Sequence, residues 1–317
     1  MSVIDIINSC QKSAFSFEVL PPLKGNSIDK VFSTIDTLRE FDPKYINITT
    51  HRSDIVYKTT ESGLFRQVME RKRPGTVAIA AAIQSRYKIA AVPHIICSGF
   101  SKSEIEYSLI DLNFLGICDL LLLRGDKSKS EPLSGVTLDG HSYALDLQEQ
   151  VNRYNQGFFL DGSPMDRLPN SFSYGVAGYP EKHEEAPNLE SDMHWLKAKV
   201  DAGADYIVTQ MFFDNSKFFD FVRRCREAGI TVPIIPGLKP LTTINQLSVL
   251  PRIFHVDIPE VFASELRKCK SEAATKECGV EWGIHQSKEL IAAGVPSIHF
   301  YTLNATQSVK QIAQKVY

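Results

Sequence analysis

The chain has 317 residues, of which 43% are hydrophobic and 23% are charged, and its formal net charge is −2. This composition is typical of a globular protein, and the near-neutral charge argues against nucleic acid or an anionic membrane as a partner. The opening segment MSVIDIINSC lacks the basic and apolar regions of a signal peptide, so we expect a cytoplasmic protein with its six scattered cysteines reduced.

Eight short apolar segments predict β-strands. They are the segments 14–20, 45–50, 90–97, 119–123, 171–178, 205–210, 232–237 and 297–303. Amphipathic helices that end at a glycine precede four of them, as EYSLIDLNFLG (106–116) precedes the fourth, leucine-rich segment at 119–123. Glycine accepts the left-handed conformation that ends a helix. Strands that alternate with helices indicate βαβ units and parallel pairing.

Eight parallel strands with intervening helices predict an α/β fold, a closed (β/α)8 TIM barrel that forms a single domain over residues 1–317. The alternative is an open doubly wound sheet. It is disfavoured because FEVLPPLKG (17–25) stands where a GxGxxG motif would follow the first strand. The stretch 255–283 is predicted to be a helical excursion before the last unit.

Polar side chains follow the carboxyl ends of the predicted strands, where barrels place their catalytic groups. They include Glu18, Thr49, His94, Arg124, Asp126, Tyr179, His183, Gln210 and Tyr301. Simpler explanations remain open at this point: Glu18 could be solvated, His94 could be a core histidine, and Gln210 could bond the barrel backbone. We expect no metal site, because the chain has no HExxH motif and no paired cysteines.

Seven motifs along nearly the whole chain resemble those of the methylenetetrahydrofolate reductase family. They are FSFEVLPP (15–22), PHIICSG (93–99), LLLRGD (121–126), AGYPEKHEEA (177–186), KVDAGADYIVTQMFFD (199–214), IIPGLKP (234–240) and IHFYTLN (298–304). Each motif is short, but their shared order makes the resemblance specific.

The resemblance implies a barrel that holds FAD without a Rossmann motif. It implies that NADH or NADPH gives hydride to the flavin, which passes it to 5,10-methylenetetrahydrofolate in ping-pong fashion, within methionine biosynthesis. The implied partners are a reduced folate, a nicotinamide dinucleotide and further copies of the chain in a homo-oligomer. Because the chain ends shortly after the last strand, we expect a bacterial-type member, a catalytic barrel with no regulatory domain.

The resemblance also assigns roles to residues. Glu18 looks like the general acid that opens the methylene bridge, and Asp126 looks like the carboxylate beside the flavin and the bound pterin. Gln210, Gln246 and Leu250 match substrate contacts. The positions that match FAD contacts are Thr49, His94, Leu123, Arg124, Gly125, Asp126, Tyr143, Ala144, Ala177, Tyr179, His183, Asp192 and Lys199.

Some positions depart from the family pattern. Trp195 and Ala198 stand where relatives often place polar or basic FAD contacts, Ala305 stands where many carry an arginine, and Leu250 replaces a stacking phenylalanine. Two other functions stay open. One is a cofactor-free barrel lyase or aldolase that uses Glu18 and His94. The other is adhesion through Arg124-Gly125-Asp126, which the preceding leucines and the lack of a secretion signal disfavour.

Overall fold

The fold was analysed in a computed structural model that describes residues 2–125, 139–167, 170–303 and 305–317, without the side chains of residues 54, 55 and 69. The strands of this part of the chain are β1 Ala14–Val19, β2 Tyr45–Ile48, β3 Asp54–Thr59, β4 Phe65–Glu70, β5 Ala90–Ile96, β6 Asp119–Leu123, β7 Ser173–Gly178, β8 Tyr206–Met211, β9 Ile234–Leu238 and β10 Ser297–Phe300. The helices are α1 Val3–Ser9, α2 Asp29–Leu38, α3 Thr76–Tyr87, α4 Lys102–Phe114, α5 Ala144–Asn155, α6 Leu189–Asp201, α7 Asn215–Glu227, α8 Gln246–Phe254, α9 Glu260–Lys268, α10 Glu272–Ala292 and α11 Thr306–Val316.

Eight strands form a closed barrel in the order β1, β10, β9, β8, β7, β6, β5 and β2. The pairs β1–β10, β7–β8, β8–β9, β9–β10 and β5–β6 are parallel. The predicted TIM barrel is therefore confirmed, and the open doubly wound sheet is excluded. Every predicted strand overlaps one of the eight, although β2 and β10 end earlier than predicted.

A β-hairpin that the sequence analysis did not predict lies between β2 and α3. Its strands β3 and β4 pair antiparallel from Asp54↔Glu70 to Thr59↔Phe65. The amide of Thr60 donates to the carbonyl oxygen of Leu64 at 2.7 Å, which closes the turn. The signal for this hairpin was the sequence ESG at 61–63, between two segments, 54–59 and 65–70, that contain β-branched and aromatic residues.

The predicted helical excursion at 255–283 is confirmed as α9 and the first half of α10. The rings of Phe262 and Trp282, one from each helix, stack with centroids 4.4 Å apart. The predicted helix-ending glycines after α4 and α7, Gly116 and Gly229, have φ of 69° and 76°. These angles fit the left-handed conformation that ends a helix.

The described chain groups into two compact units. The first unit comprises Met1–Val19, Ser33–Asn47 and Ser173–Tyr317, and the second comprises Leu20–Phe32 and Ile48–Phe172. The single domain expected over residues 1–317 stays a prediction. Within the described ranges, no helix combines the length and the apolar character that a membrane span requires.

Candidate active site

The interior of the first unit contains three layers of polar side chains. The lowest joins Tyr45 and Ser297, whose hydroxyl oxygens lie 2.9 Å apart. The next contains Ser16, Asn47 and His299, and the third contains Glu18 and Tyr301. Because alternate residues of a strand point to the same face, residues 16 and 18 of β1 and residues 297 and 299 of β10 share the inner face of the barrel.

Glu18 is buried, with only 3% of its surface exposed. Its Oε2 lies 4.0 Å from Nε2 of His299, and its carbonyl oxygen accepts a hydrogen bond from the hydroxyl of Thr302. The alternative of a solvated Glu18 is therefore excluded. A carboxyl group held away from water among polar neighbours is suited to exchange a proton with a bound ligand.

His299 lies beside Glu18 and was not identified from the sequence. Its Nδ1 is 3.2 Å from Oγ of Ser16 and 3.4 Å from Nδ2 of Asn47. An amide nitrogen can only donate, so the contact with Asn47 favours the neutral tautomer that carries its proton on Nε2, the nitrogen that faces Glu18. The alternation Ser297-x-His299-x-Tyr301 could have shown that these side chains share one face of the strand.

Tyr301 covers His299, with the two rings perpendicular and their centroids 5.1 Å apart. Its hydroxyl donates to the carbonyl oxygen of Thr209 at 2.7 Å. Burial, reinforced by the charge of Glu18, raises the pKa of the Tyr301 phenol well above its usual value, so the phenol keeps its proton. Gly237 leaves room for this ring, because a Cβ there would lie 2.6 Å from Cε2 of Tyr301.

Lys239 follows β9 and is a second ionisable group that the sequence analysis missed. It is only 8% exposed. Burial lowers the pKa of its ammonium group, while the negative charge of Glu18 acts in the opposite direction. The first unit therefore places a buried cation within electrostatic range of the buried carboxyl group.

The three predicted substrate contacts have structural partners in the first unit. Oε1 of Gln210 accepts from the amide of Met211 at 2.9 Å, which is the backbone bond that the sequence analysis left open. Oε1 of Gln246 accepts from the amides of Thr242 and Thr243 at 2.7 and 3.1 Å. The third, Leu250, is 4% exposed in an apolar cluster. Their roles in substrate binding stay predictions.

Four predicted FAD contacts line a small hollow between β7 and α6. They are Ala177, Tyr179, Asp192 and Lys199. Nζ of Lys199 donates to the carbonyl oxygen of Ala177 at 2.8 Å. Burial lowers the pKa of Lys199 to about 8, and the charge of Asp192 partly opposes this effect. Arg224 also lines the hollow, which gives it a second cationic side chain.

His183 adjoins these residues. Its amide donates to Oδ2 of Asp192 at 3.0 Å, and its ring meets the ring of Tyr179 edge-on at 4.6 Å. Nδ1 accepts from the amide of Glu185 at 3.2 Å, and burial lowers the pKa of the imidazole. The structure thus brings together the five predicted FAD contacts of the first unit.

Trp195, one of the departures from the family pattern, is 58% exposed on α6.

The other predicted FAD contacts belong to the second unit. His94 is buried in β5, and its carbonyl oxygen accepts a hydrogen bond from the hydroxyl of Thr50, which follows Thr49. The guanidinium of Arg124, which follows Leu123 at the end of β6, lies 5.5 Å from the centroid of the Tyr143 ring. Tyr143 is the residue before α5, which begins at Ala144.

Gly125 has a φ of 91°, a conformation that favours glycine, and a Cβ there would lie 3.1 Å from Cδ1 of Ile96. The predicted catalytic residue Asp126 lies outside the described residues. In the part of the chain that is described, no three His, Cys, Asp or Glu side chains are grouped so as to hold a metal ion.

Comparison with known proteins shows to which family the chain is similar. A family model described as methylenetetrahydrofolate reductase matches residues 3–317. The chain is 31% identical over 293 residues to the 5,10-methylenetetrahydrofolate reductase of Salmonella typhimurium, an alignment that covers 92% of this chain and 86% of the relative. It is 30% identical over 321 residues to methylenetetrahydrofolate reductase (NADH) 1 of Arabidopsis thaliana, covering 97% of this chain and 49% of the relative.

The chain spans about half the length of the first curated relatives that it matches. A solved structure from Clostridium thermocellum, of a protein that binds two copies of 5-methyl-5,6,7,8-tetrahydrofolic acid, has a TM-score of 0.56 to this chain. The match covers 98% of this chain and 97% of the other at 15% sequence identity, and it supports the fold alone.

Proposed function

Because the chain belongs to the methylenetetrahydrofolate reductase family, we propose that it reduces 5,10-methylenetetrahydrofolate to 5-methyltetrahydrofolate with a reduced nicotinamide dinucleotide as the electron donor. The observation that carries the proposal is the burial of Glu18 among the polar side chains of the first unit, in the motif that matches the acid of the family. A carboxyl group so placed can serve the proton transfer that this reduction requires.

Glu18 acts on the methylene bridge of the folate. One carbon–nitrogen bond of the bridge must break, and its electron pair stays on the departing nitrogen. A proton given to that nitrogen lowers the barrier, and the remaining iminium can then accept hydride. Glu18 supplies this proton and becomes a carboxylate, whose charge is favoured by the nearby ammonium group of Lys239.

FAD fits the residues that the family resemblance assigns to it. In the first unit, the hollow beside Ala177 carries two cationic side chains, Lys199 and Arg224, which suit the anionic phosphates of a dinucleotide. In the second unit, Arg124 at the end of β6 adds another cationic side chain, which lies over the ring of Tyr143. When bound, FAD would supply the hydride relay from the nicotinamide to the folate.

We propose that Thr49, His94, Leu123, Arg124, Gly125, Asp126, Tyr143, Ala144, Ala177, Tyr179, His183, Asp192 and Lys199 hold FAD, and that Gln210, Gln246 and Leu250 contact the folate. Asp126 would add a negative charge that disfavours reduced, anionic flavin and so makes it the better hydride donor. Relatives named for NADH and for NADPH both match, so the proposal includes either donor. We also propose that the protein forms a homo-oligomer and that it acts in methionine biosynthesis in the cytoplasm.

An anaerobic titration tests this function. The purified protein is expected to be yellow, with an absorbance maximum at about 450 nm from bound flavin that NADH or NADPH bleaches. Addition of 5,10-methylenetetrahydrofolate should restore the absorbance, and chromatography should identify 5-methyltetrahydrofolate as the product. A protein that takes up no FAD, or whose reduced flavin does not react with the folate, would contradict the proposal.

A further inference from the structure

The environment of His299 indicates a role in the reaction that the family resemblance does not assign to this residue. Ser16 and His299 are register partners in the β1–β10 pair, and Glu18 follows Ser16 on the same face of β1. His299 is 1% exposed and Glu18 is 3% exposed, so neither side chain exchanges freely with bulk water. The imidazole is therefore part of the surroundings of the proposed acid.

The imidazole is held on three sides. Asn47 faces Nδ1 at 3.4 Å and Ser16 lies 3.2 Å from the same atom, so the ring presents its other nitrogen to Glu18. The ring of Tyr301 meets the imidazole at 90°, and Tyr301 is itself held by its bond to the carbonyl oxygen of Thr209. The Nε2–H group consequently remains directed at the carboxyl group.

The separation between these two groups has a chemical consequence. Nε2 and Oε2 lie 4.0 Å apart, which is longer than a hydrogen bond and too short for a water molecule between them. A movement of the carboxyl group by about 1 Å would close a direct bond. A bond to a charged acceptor is about twice as strong as a neutral one, so the N–H group favours the carboxylate over the acid.

We propose that His299 is a positioning residue for the reaction, which orients Glu18 and stabilises the carboxylate left after Glu18 has given its proton to the departing nitrogen of the folate. This inference rests on the proposed function. His299 keeps its own proton throughout, and Glu18 regains a proton from the water that enters the site when the product leaves. The other ionisable groups of the first unit near this pair are Lys239, whose charge acts in the same direction, and Tyr301, which stays protonated.

Two substitutions of His299 separate positioning from packing. His299→Leu fills the space without a donor, whereas His299→Gln keeps an N–H donor. Tyr174→Phe is the matched control, because it removes a buried hydroxyl of the first unit that donates to the carbonyl oxygen of Ala202. The rate of folate reduction by pre-reduced enzyme is measured against pH in single turnovers, together with the rate of flavin reduction by the nicotinamide.

With His299→Leu, folate reduction is expected to slow about 10- to 100-fold, as for the loss of one hydrogen bond to a charged group. The alkaline limb of its pH profile should move to higher pH, because the carboxylate has lost a stabilising donor. His299→Gln should recover part of the rate, and Tyr174→Phe should match the wild type. If His299→Leu left both the rate of folate reduction and the alkaline limb of its pH profile unchanged, the inference would be overturned.

Nitrogen-15 spectra of the histidine rings give a readout on the FAD-free protein. The signal that disappears in His299→Gln identifies His299 among the eight histidines of the chain. We expect its Nδ1 to be unprotonated and its Nε2 protonated, with an Nε2 shift that changes in Glu18→Gln. A proton on Nδ1 would overturn the inference even if His299→Leu does not fold. Failure of the wild-type protein to reduce the folate would instead defeat the proposed function.

Discussion

The ammonium group of Lys199 on α6 donates a hydrogen bond to the carbonyl oxygen of Ala177 on β7, with the two atoms 2.8 Å apart. This bond and the charge of Asp192 do not offset the burial of the lysine, because its pKa is lowered to about 8. A half-buried lysine that is costly to keep charged, and that lines a hollow, is a residue suited to a ligand.

Lys199 should therefore make the free energy of unfolding of the FAD-free protein depend on pH. The unfolded lysine has a pKa of 10.5, so between pH 8 and 10.5 the unfolded chain binds more protons and the folded chain becomes more stable as pH rises. Lys199→Met should abolish this rise and be more stable than the wild type at pH 7, by at most about 3 kcal/mol. Urea unfolding at pH 7 and pH 10 measures both effects.

Lys197→Met is the matched control for this prediction, because Lys197 pairs with Asp201 at the surface of the same helix. Its free energy of unfolding should follow the wild type at both pH values. A Lys199→Met variant with the wild-type pH slope would show that the lysine is not charged at a cost in the folded chain.

Lys199→Met should also weaken FAD binding. The loss of one charge-assisted hydrogen bond corresponds to about 10- to 100-fold in the dissociation constant. Fluorescence titration of the FAD-free protein measures this change, with Lys197→Met as the reference. Equal affinities in the two variants would remove Lys199 from the proposed FAD site.

Glu181, in the loop after β7, gives a second pH effect of opposite sign. Burial raises its pKa from 4.5 to about 7, although the amide of Asp257 donates to its carboxyl group at 2.8 Å. The folded chain binds the extra proton, so the stabilising contribution is full below pH 4.5 and is lost as pH rises through 7. Glu181→Gln should be more stable than the wild type at pH 8, by roughly 1–3 kcal/mol, and similar at pH 4.5. Equal stability of the two proteins at pH 8 would contradict this.

Gly237 is required by the packing of its neighbours. A Cβ at this position would lie 2.3 Å from the carbonyl oxygen of Thr209, which is the acceptor of the Tyr301 hydroxyl. Gly237→Ala should destabilise the fold by about 1–3 kcal/mol, because backbone must move to admit the methyl group. Gly75→Ala, where the nearest atom is 3.9 Å away, should change thermal stability far less. Similar melting temperatures for the two variants would contradict the packing argument.

The strands and the polar residues at their ends could be predicted because apolar segments and helix-ending glycines are local features. Asn47 and His299 could not be paired in this way, because they are 252 residues apart and meet only through the register of the barrel. Lys239 was missed for a similar reason, since a lysine after a strand is usually solvated and its burial depends on the surrounding fold. The β3–β4 hairpin was missed although its Ser62-Gly63 turn is a local signal.

The central claim is that the buried carboxyl group of Glu18 supplies the proton for folate reduction, and Glu18→Gln tests it most directly because the amide keeps the shape and lacks the acid. Rapid-mixing absorbance at about 450 nm measures the two half-reactions separately under anaerobic conditions. Flavin reduction by the nicotinamide should stay within a few-fold of the wild type, while oxidation of the reduced flavin by 5,10-methylenetetrahydrofolate should slow by about 10²- to 10⁴-fold. Folate reduction at the wild-type rate in this variant, with flavin reduction unchanged, would contradict the claim.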